Sequence, residues 1–326
     1  MIEKPIIIKQ NKITRRQMLT ATATAVAATR INITQAAAKP DSKPPKPKPH
    51  FIYCLNTSTI RGQKLGIVKE AQIASKAGYT AIEPWMRSIN DYQKTGGSLK
   101  DLKNRLNDLG LTIESAIDFP KWIVDDDTER AKGLEDAKKS MDTLAQLGAK
   151  RIAAPPSGAT KVAGLDLLNA AYRYRALLEL GDTMGVTPQV ELWGFSKNLH
   201  LLGQAMFVAI ESGHPKACLL PDIYHVYKGG SSFQGLKLLS RRAIQVFHFN
   251  DYPADPPRAT IADRDRIFPG DGIAPFHQIV PDLLRINNQC VLSLELFSPA
   301  YWKKDALDVA RTGLIKMKTI IQKNTG

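Results

Sequence analysis

Four apolar runs end in side chains that titrate. VELW contains Glu191, PDIYH carries Asp222 with His225 three residues on, FHFND holds His248, and LELF holds Glu295. Hard oxygen donors with one imidazole suit a divalent ion such as Mn2+, Mg2+ or Co2+, and less often Zn2+. Three carboxylates brought together raise one another's pKa unless a cation lies among them, so a single ion explains the set economically. Glu83 ends an earlier run and suits hydrogen bonding to a substrate hydroxyl or to a metal ligand. Trp85, Trp193 and Trp302 stand near run ends, where an indole can stack on a flat ligand or pack at a rim.

Such residues meet only if the chain brings the run ends to one face. From residue 50 onward a short β-rich apolar run, a polar loop and an amphipathic helical stretch recur eight times. The runs are 51–56, 79–85, 111–117, 150–156, 186–193, 217–223, 243–251 and 289–297. Helical stretches between them, such as TERAKGLEDAKKSMDTLAQLG, end in glycine just before the next run, as helix C-caps do. Alternation of strand and helix predicts a parallel sheet. Eight units in about 275 residues match a (β/α)8 TIM barrel, whose active sites lie at the C-terminal ends of the strands. A doubly wound open sheet would carry a glycine-rich phosphate loop after its first strand, and NTSTIRGQ is not one.

The formal charge of +14 over 326 residues is unevenly spread. Residues 1–50 hold ten basic and two acidic groups, leaving 35 and 29 for the remainder, with no long basic run. That balance argues against a nucleic-acid partner. Within the leader, Thr14-Arg15-Arg16-Gln17-Met18-Leu19 precedes a short Ala/Thr stretch, and Ala36-Ala37-Ala38 offers small residues for cleavage. This predicts a twin-arginine signal over 1–38, a Pro/Lys-rich linker over 39–49 and one barrel domain over 50–326. The expected location is therefore periplasmic or otherwise extracytoplasmic, reached through the twin-arginine translocation machinery. Cys54, Cys218 and Cys290 each sit in an apolar run and read as buried reduced thiols.

The motifs VELW, PDIYH, FHFND and LELF, with RIFPGDGIAPF before the last helix and strand, resemble the xylose isomerase-like barrel superfamily. The resemblance spans nearly the whole barrel segment and is nearest to ketose 3-epimerases and inosose dehydratases. It implies one divalent ion held by Glu191, Asp222, His248 and Glu295, with the two glutamates as an acid/base pair on opposite faces of the substrate. It places His225 on substrate oxygens. The arginine expected soon after His248 is out of register, since Ala254 occupies its place, and Arg258, Arg264 or Arg266 of the long loop is the expected replacement.

Together these features predict a metal-dependent sugar isomerase or epimerase. It would work by proton transfer through a metal-bound enediolate, on a non-phosphorylated sugar or sugar derivative, possibly as a homo-oligomer. The alternatives are a lyase or hydratase acting on a keto-sugar or 3-keto-glycoside, and a non-catalytic sugar-binding barrel. Glu83, Arg258 and Trp193 complete the expected substrate contacts alongside His225.

Overall fold

Each expected run carries a strand, and the computed structural model describes them within residues 50–325. The expected signal segment (1–38) and linker (39–49) lie outside the described residues. The strands are β1 (Ile52–Asn56), β2 (Ala81–Glu83), β3 (Thr112–Ile113), β4 (Arg151–Ala154), β5 (Thr187–Glu191), β6 (Leu219–Leu220), β7 (Val246–His248) and β8 (Val291–Leu294). All pairings are parallel, in the orders β3-β2-β1-β8-β7 and β4-β5-β6. Single hydrogen bonds close the ring between these two arcs. Ala153 N–H donates to Ala116 O at 2.9 Å, and Leu219 N–H to Ala243 O and His248 N–H to Pro221 O at the same distance. The fold is a (β/α)8 barrel, as the alternating pattern predicts.

The barrel interior is narrow, so small or branched side chains fill it. Cys54, Ala81, Ile117, Ala153, Leu220, Val246 and Val291 form that inner cluster, drawn from seven of the eight strands or their ends. Outside the sheet a larger apolar layer takes the buried stripes of the helices. These include α1 (Ile67–Ala77), α2 (Met86–Lys94), α3 (Leu99–Asp108), α4 (Asp127–Leu147), α5 (Leu167–Met184) and α6 (Leu202–Glu211). Gly78, Gly148 and Gly185 end α1, α4 and α5 in the left-handed region, with φ of 98°, 81° and 72°. All three cysteines are buried and unbridged.

Two local features aim side chains at the C-terminal mouth. After β6 the chain turns at once into a short helix, α7 (Ile223–Gly229), whose N-cap is Asp222. The Asp222 carboxylate accepts the His225 N–H at 2.8 Å, which satisfies one of the helix's free amides. The three-residue spacing of PDIYH is thus a capping spacing as well. After β7, Asp251 accepts four backbone N–H groups, from Tyr252, Gly270, Gly272 and Ala274, at 2.8–3.0 Å. Its backbone also pairs with Ile267 in an antiparallel bridge. A Cβ on Gly272 would lie 2.1 Å from Tyr252 O and 2.6 Å from the Asp251 carboxylate, so only glycine fits there. This clamp folds the loop between Tyr252 and Ala274 inward and delivers Arg266, which adjoins the bridge. α8 (Phe276–Asn287), α9 (Pro299–Trp302) and α10 (Ala306–Thr325) complete the outer layer.

Candidate active site

Glu191, His248 and Glu295 end β5, β7 and β8 and converge. One donor atom from each lies within 4.8 Å of the others, and all three residues are buried. The two ring nitrogens of His248 face different partners. Nε2 lies 3.0 Å from Glu83 Oε2. Nδ1 faces Glu295 Oε2 at 3.1 Å, Asp222 Oδ2 at 3.5 Å and Glu191 Oε1 at 3.9 Å, yet makes no well-formed hydrogen bond. Glu83 is fixed in turn by Ser293 Oγ at 2.6 Å and Asn56 Nδ2 at 2.9 Å. The same Asn56 amide donates to Glu295 Oε1 at 3.1 Å.

A buried imidazole nitrogen aimed at three carboxylates, with its other nitrogen held by a carboxylate, is the arrangement of a metal-binding histidine. Glu191 adds a carboxylate that is 3% exposed, with Oε1 3.9 Å from His248 Nδ1. These donors fit a divalent cation. The electrostatics agree: burial and then the neighbouring Glu295 and Asp222 push the Glu191 carboxyl well above the carboxylate range, against the pull of His248. Burial lowers the His248 pKa, but Glu295 and Glu83 overcome it and hold the ring well above its ordinary value. A cation would relieve both strains, since it favours the ionised carboxylates and the neutral ring.

Asp222 stands beside the trio rather than inside it. Its Oδ2 accepts Asn250 Nδ2 and Arg266 Nη1, both at 2.9 Å, and burial is outweighed by Arg266 and the histidines, so its pKa falls. Arg266 is 1% exposed. Its Nη1 also donates to Glu295 Oε2 at 2.6 Å, and its Nη2 to Asp263 Oδ1 at 2.5 Å. Three carboxylates thus balance a charge that would otherwise be costly to bury.

His225 also lines the cavity. Its Nδ1 accepts the Gly194 N–H at 3.2 Å, and its Nε2 lies 2.9 Å from Arg266 Nη2. Burial and then the guanidinium push this ring down to about 4, so it is neutral at pH 7. A neutral imidazole has one acceptor nitrogen. The two donors compete for it, and a substrate oxygen can satisfy whichever loses.

Two expected substrate contacts fall elsewhere. Arg258 is exposed, and its carbonyl accepts Lys228 Nζ at 3.1 Å instead; the loop clamp sends Arg266 into the site in its stead. Glu83 is fully buried, hydrogen-bonds His248 and is not part of the cavity lining. Trp193 does line the cavity, which measures about 400 Å3 and is walled further by Trp85, Phe119, Phe195 and Phe297. Sequence reading passed over Asn250, Ser293 and Asp263, because a single Asn, Ser or Asp at a strand end or in a loop carries no pattern of its own. Asn56 stood at a strand end, and only its two contacts show what it ties together.

Residues 71–318 match the xylose isomerase-like TIM barrel family. The chain belongs to that family. Among curated relatives, the inosose isomerase of Bacillus licheniformis is 30% identical over 184 residues, which are 55% of this chain and 65% of that protein. The match therefore spans just under two thirds of that relative's length. The inosose isomerase of Bacillus velezensis is 24% identical over 276 residues, 83% of this chain and 97% of that protein. Among solved structures, the IolI protein with a bound zinc atom superposes with a TM-score of 0.77 at 22% identity, covering 83% of this chain and 98% of that one. At that identity the superposition speaks for this family's fold alone.

Proposed function

We propose that this barrel is a divalent-metal-dependent isomerase or epimerase of a non-phosphorylated polyhydroxy ketone or aldehyde, a sugar or cyclic polyol derivative. The observation that supports it most is the unpartnered His248 Nδ1 facing Glu191 and Glu295, with Nε2 anchored on Glu83. Inosose isomerase relatives agree with the substrate chemistry. Glu191, His248 and Glu295 would hold the ion, with Asp222, whose Oδ2 lies 3.5 Å from His248 Nδ1, as a fourth donor. When bound, the ion would act as a Lewis acid on the substrate's carbonyl and adjacent hydroxyl.

The chain's own groups then divide the proton work. Glu191 takes the proton from the carbon beside the carbonyl, and Glu295 returns one, as a positioned acid/base pair. The charge that builds on oxygen faces the Arg266 guanidinium, a fixed donor in a water-poor setting. Neutral His225 donates or accepts one hydrogen bond to a substrate hydroxyl.

Incubation of the manganese-loaded protein with inososes and free ketoses in D2O tests this reading. Deuterium should enter at carbon, and Glu191→Gln should slow its entry by roughly 10²–10⁴-fold. A folded, metal-loaded wild type that exchanges no carbon-bound hydrogen on any bound ketose or inosose would overturn it. From the leader sequence we also propose export by the twin-arginine route.

A further inference from the structure

Beside the reacting groups the cavity carries a run of aromatic rings, with the Arg61 guanidinium over Trp85 at 4.4 Å and Arg266 over Phe297 at 4.9 Å at one end of it. Ring centroids run in an unbroken series: Phe297 to Trp85 at 6.2 Å, Trp85 to Phe119 at 5.1 Å, Phe119 to Trp193 at 5.9 Å, and Trp193 to Phe195 at 5.3 Å. The series ends on His225, 5.8 Å from Phe195 and edge-on to it. These rings come from the ends of β8, β2, β3 and β5, so the wall spans about half the mouth.

Two of these rings are left uncovered. Phe119 is 41% exposed and Phe195 is 47% exposed, on either side of Trp193. A free sugar presents hydroxyls around its rim and needs hydrogen-bonding partners around its whole edge. One stacked indole serves its apolar face. Three adjacent rings, tilted by 49° and 29° to one another and two of them partly exposed, offer an apolar surface that a hydroxylated ring would cover at the cost of unmet hydrogen bonds. An aryl group fits it, because offset and tilted aromatic contacts at 4.5–7 Å are the favoured geometry.

Building on the isomerase reading, we propose that the substrate carries an aromatic substituent beyond its reacting carbonyl ring. The polyhydroxy ring lies against Glu191, His225 and Arg266, and the aryl group lies on Phe119, Trp193 and Phe195. The cavity of about 400 Å3 matches a two-ring ligand of this kind, within the usual range for small-molecule pockets. The assignment concerns which molecule is held and adds no bond-breaking step.

Tryptophan fluorescence reads the test directly, since Trp193 and Trp85 lie in the wall. The manganese-loaded full chain is titrated with phenyl and methyl 3-keto-β-D-glucopyranoside and 3-keto-β-D-galactopyranoside, which keep a carbonyl beside a hydroxyl, and with cellobiose. For at least one sugar the phenyl glycoside should bind about tenfold or more tightly than the methyl glycoside. In the double variant Phe119→Ala, Phe195→Ala the two should bind within about twofold of each other. If that variant does not fold, Phe195→Ala alone should cut the ratio at least by half. Equal binding in the wild type, no binding of any glycoside, a ratio that survives the variants, or tighter binding of cellobiose would each overturn the aryl assignment. The two readings fail separately. Lost aryl preference with proton exchange on inososes intact removes only this inference, and lost exchange with the preference intact removes only the isomerase reading.

Discussion

His248 shows how a side chain with two nitrogens is committed to one role. Glu83 accepts from Nε2, so Nδ1 is left to face Glu191 and Glu295. Glu83 has no access to the cavity, and its effect on chemistry passes through the ring. Replacement of Glu83 by Gln should weaken metal binding about 10–100-fold, read by titration against a competing chelator, with an unchanged far-ultraviolet spectrum. Undiminished metal affinity would show that Glu83 does not orient the ring. Glu70 on α1 is a second buried carboxyl, 3% exposed with Oε2 unpartnered, and burial pushes it from 4.5 up to about 7. The folded protein therefore keeps this proton to higher pH than the unfolded chain does. Below about pH 4.5 both states are protonated and the group is neutral for stability. As pH rises from there to about 7 the unfolded chain alone gains by ionising, so stability falls. The full loss is about 3 kcal/mol above pH 7. Glu70→Gln should remove that loss: the variant should gain urea midpoint over wild type at pH 8 and match it near pH 4. A wild type and variant with parallel pH profiles would contradict the assignment.

At the scale of elements, the loop after β7 does what the strand ends alone do not. Asp251 binds four amides of that loop and pairs its backbone with Ile267, which fixes Arg266 one residue away. Asp251→Ala should release the loop, raise KM for the ketose or inosose substrate about tenfold or more and leave metal content unchanged, because no ligand of the trio sits on the loop. Unaltered kinetics in a folded variant would mean that Arg266 holds its place without the clamp. The strands themselves were legible from sequence, since a barrel strand is buried on both faces and reads as a short apolar run between glycine-rich and polar stretches. The trio was legible for the same reason: Glu191, His248 and Glu295 are polar residues at the ends of such runs. Arg266 was one of three arginines in a loop without periodicity, and which of them turns inward depends on the Asp251 clamp and on Gly272, contacts that sequence spacing does not encode. Asp222 was read as a ligand from its strand-end position, whereas its two oxygens also serve as helix cap and as anchor for Asn250 and Arg266. The aromatic wall was visible only in part, because Phe119 and Phe195 lie beyond their strands and meet Trp193 only when the barrel closes.

Charge and thiol chemistry over the whole chain bear on where it works. The first fifty residues carry ten basic groups against two acidic ones, and the rest is close to balanced. Removal of the leader would therefore leave a barrel without a strong electrostatic bias toward polyanions. The three thiols are buried and unbridged, so the barrel forms without a disulfide among them and offers no surface thiol to an oxidising compartment. Such a barrel needs no disulfide-forming compartment in order to fold, and the export proposed from the leader has its own test. Conservative replacement of Arg15 and Arg16 by Lys keeps the charge and the Ala/Thr stretch while removing the guanidinium pair. If the proposed signal operates, export of the double variant should fall, with full-length protein retained in the cytoplasmic fraction. Wild-type protein from the exported fraction should be shortened near Ala38 by mass. Equal export of the Lys variant, or exported protein that still carries residues 1–38, would overturn the twin-arginine reading and leave the barrel and its site untouched.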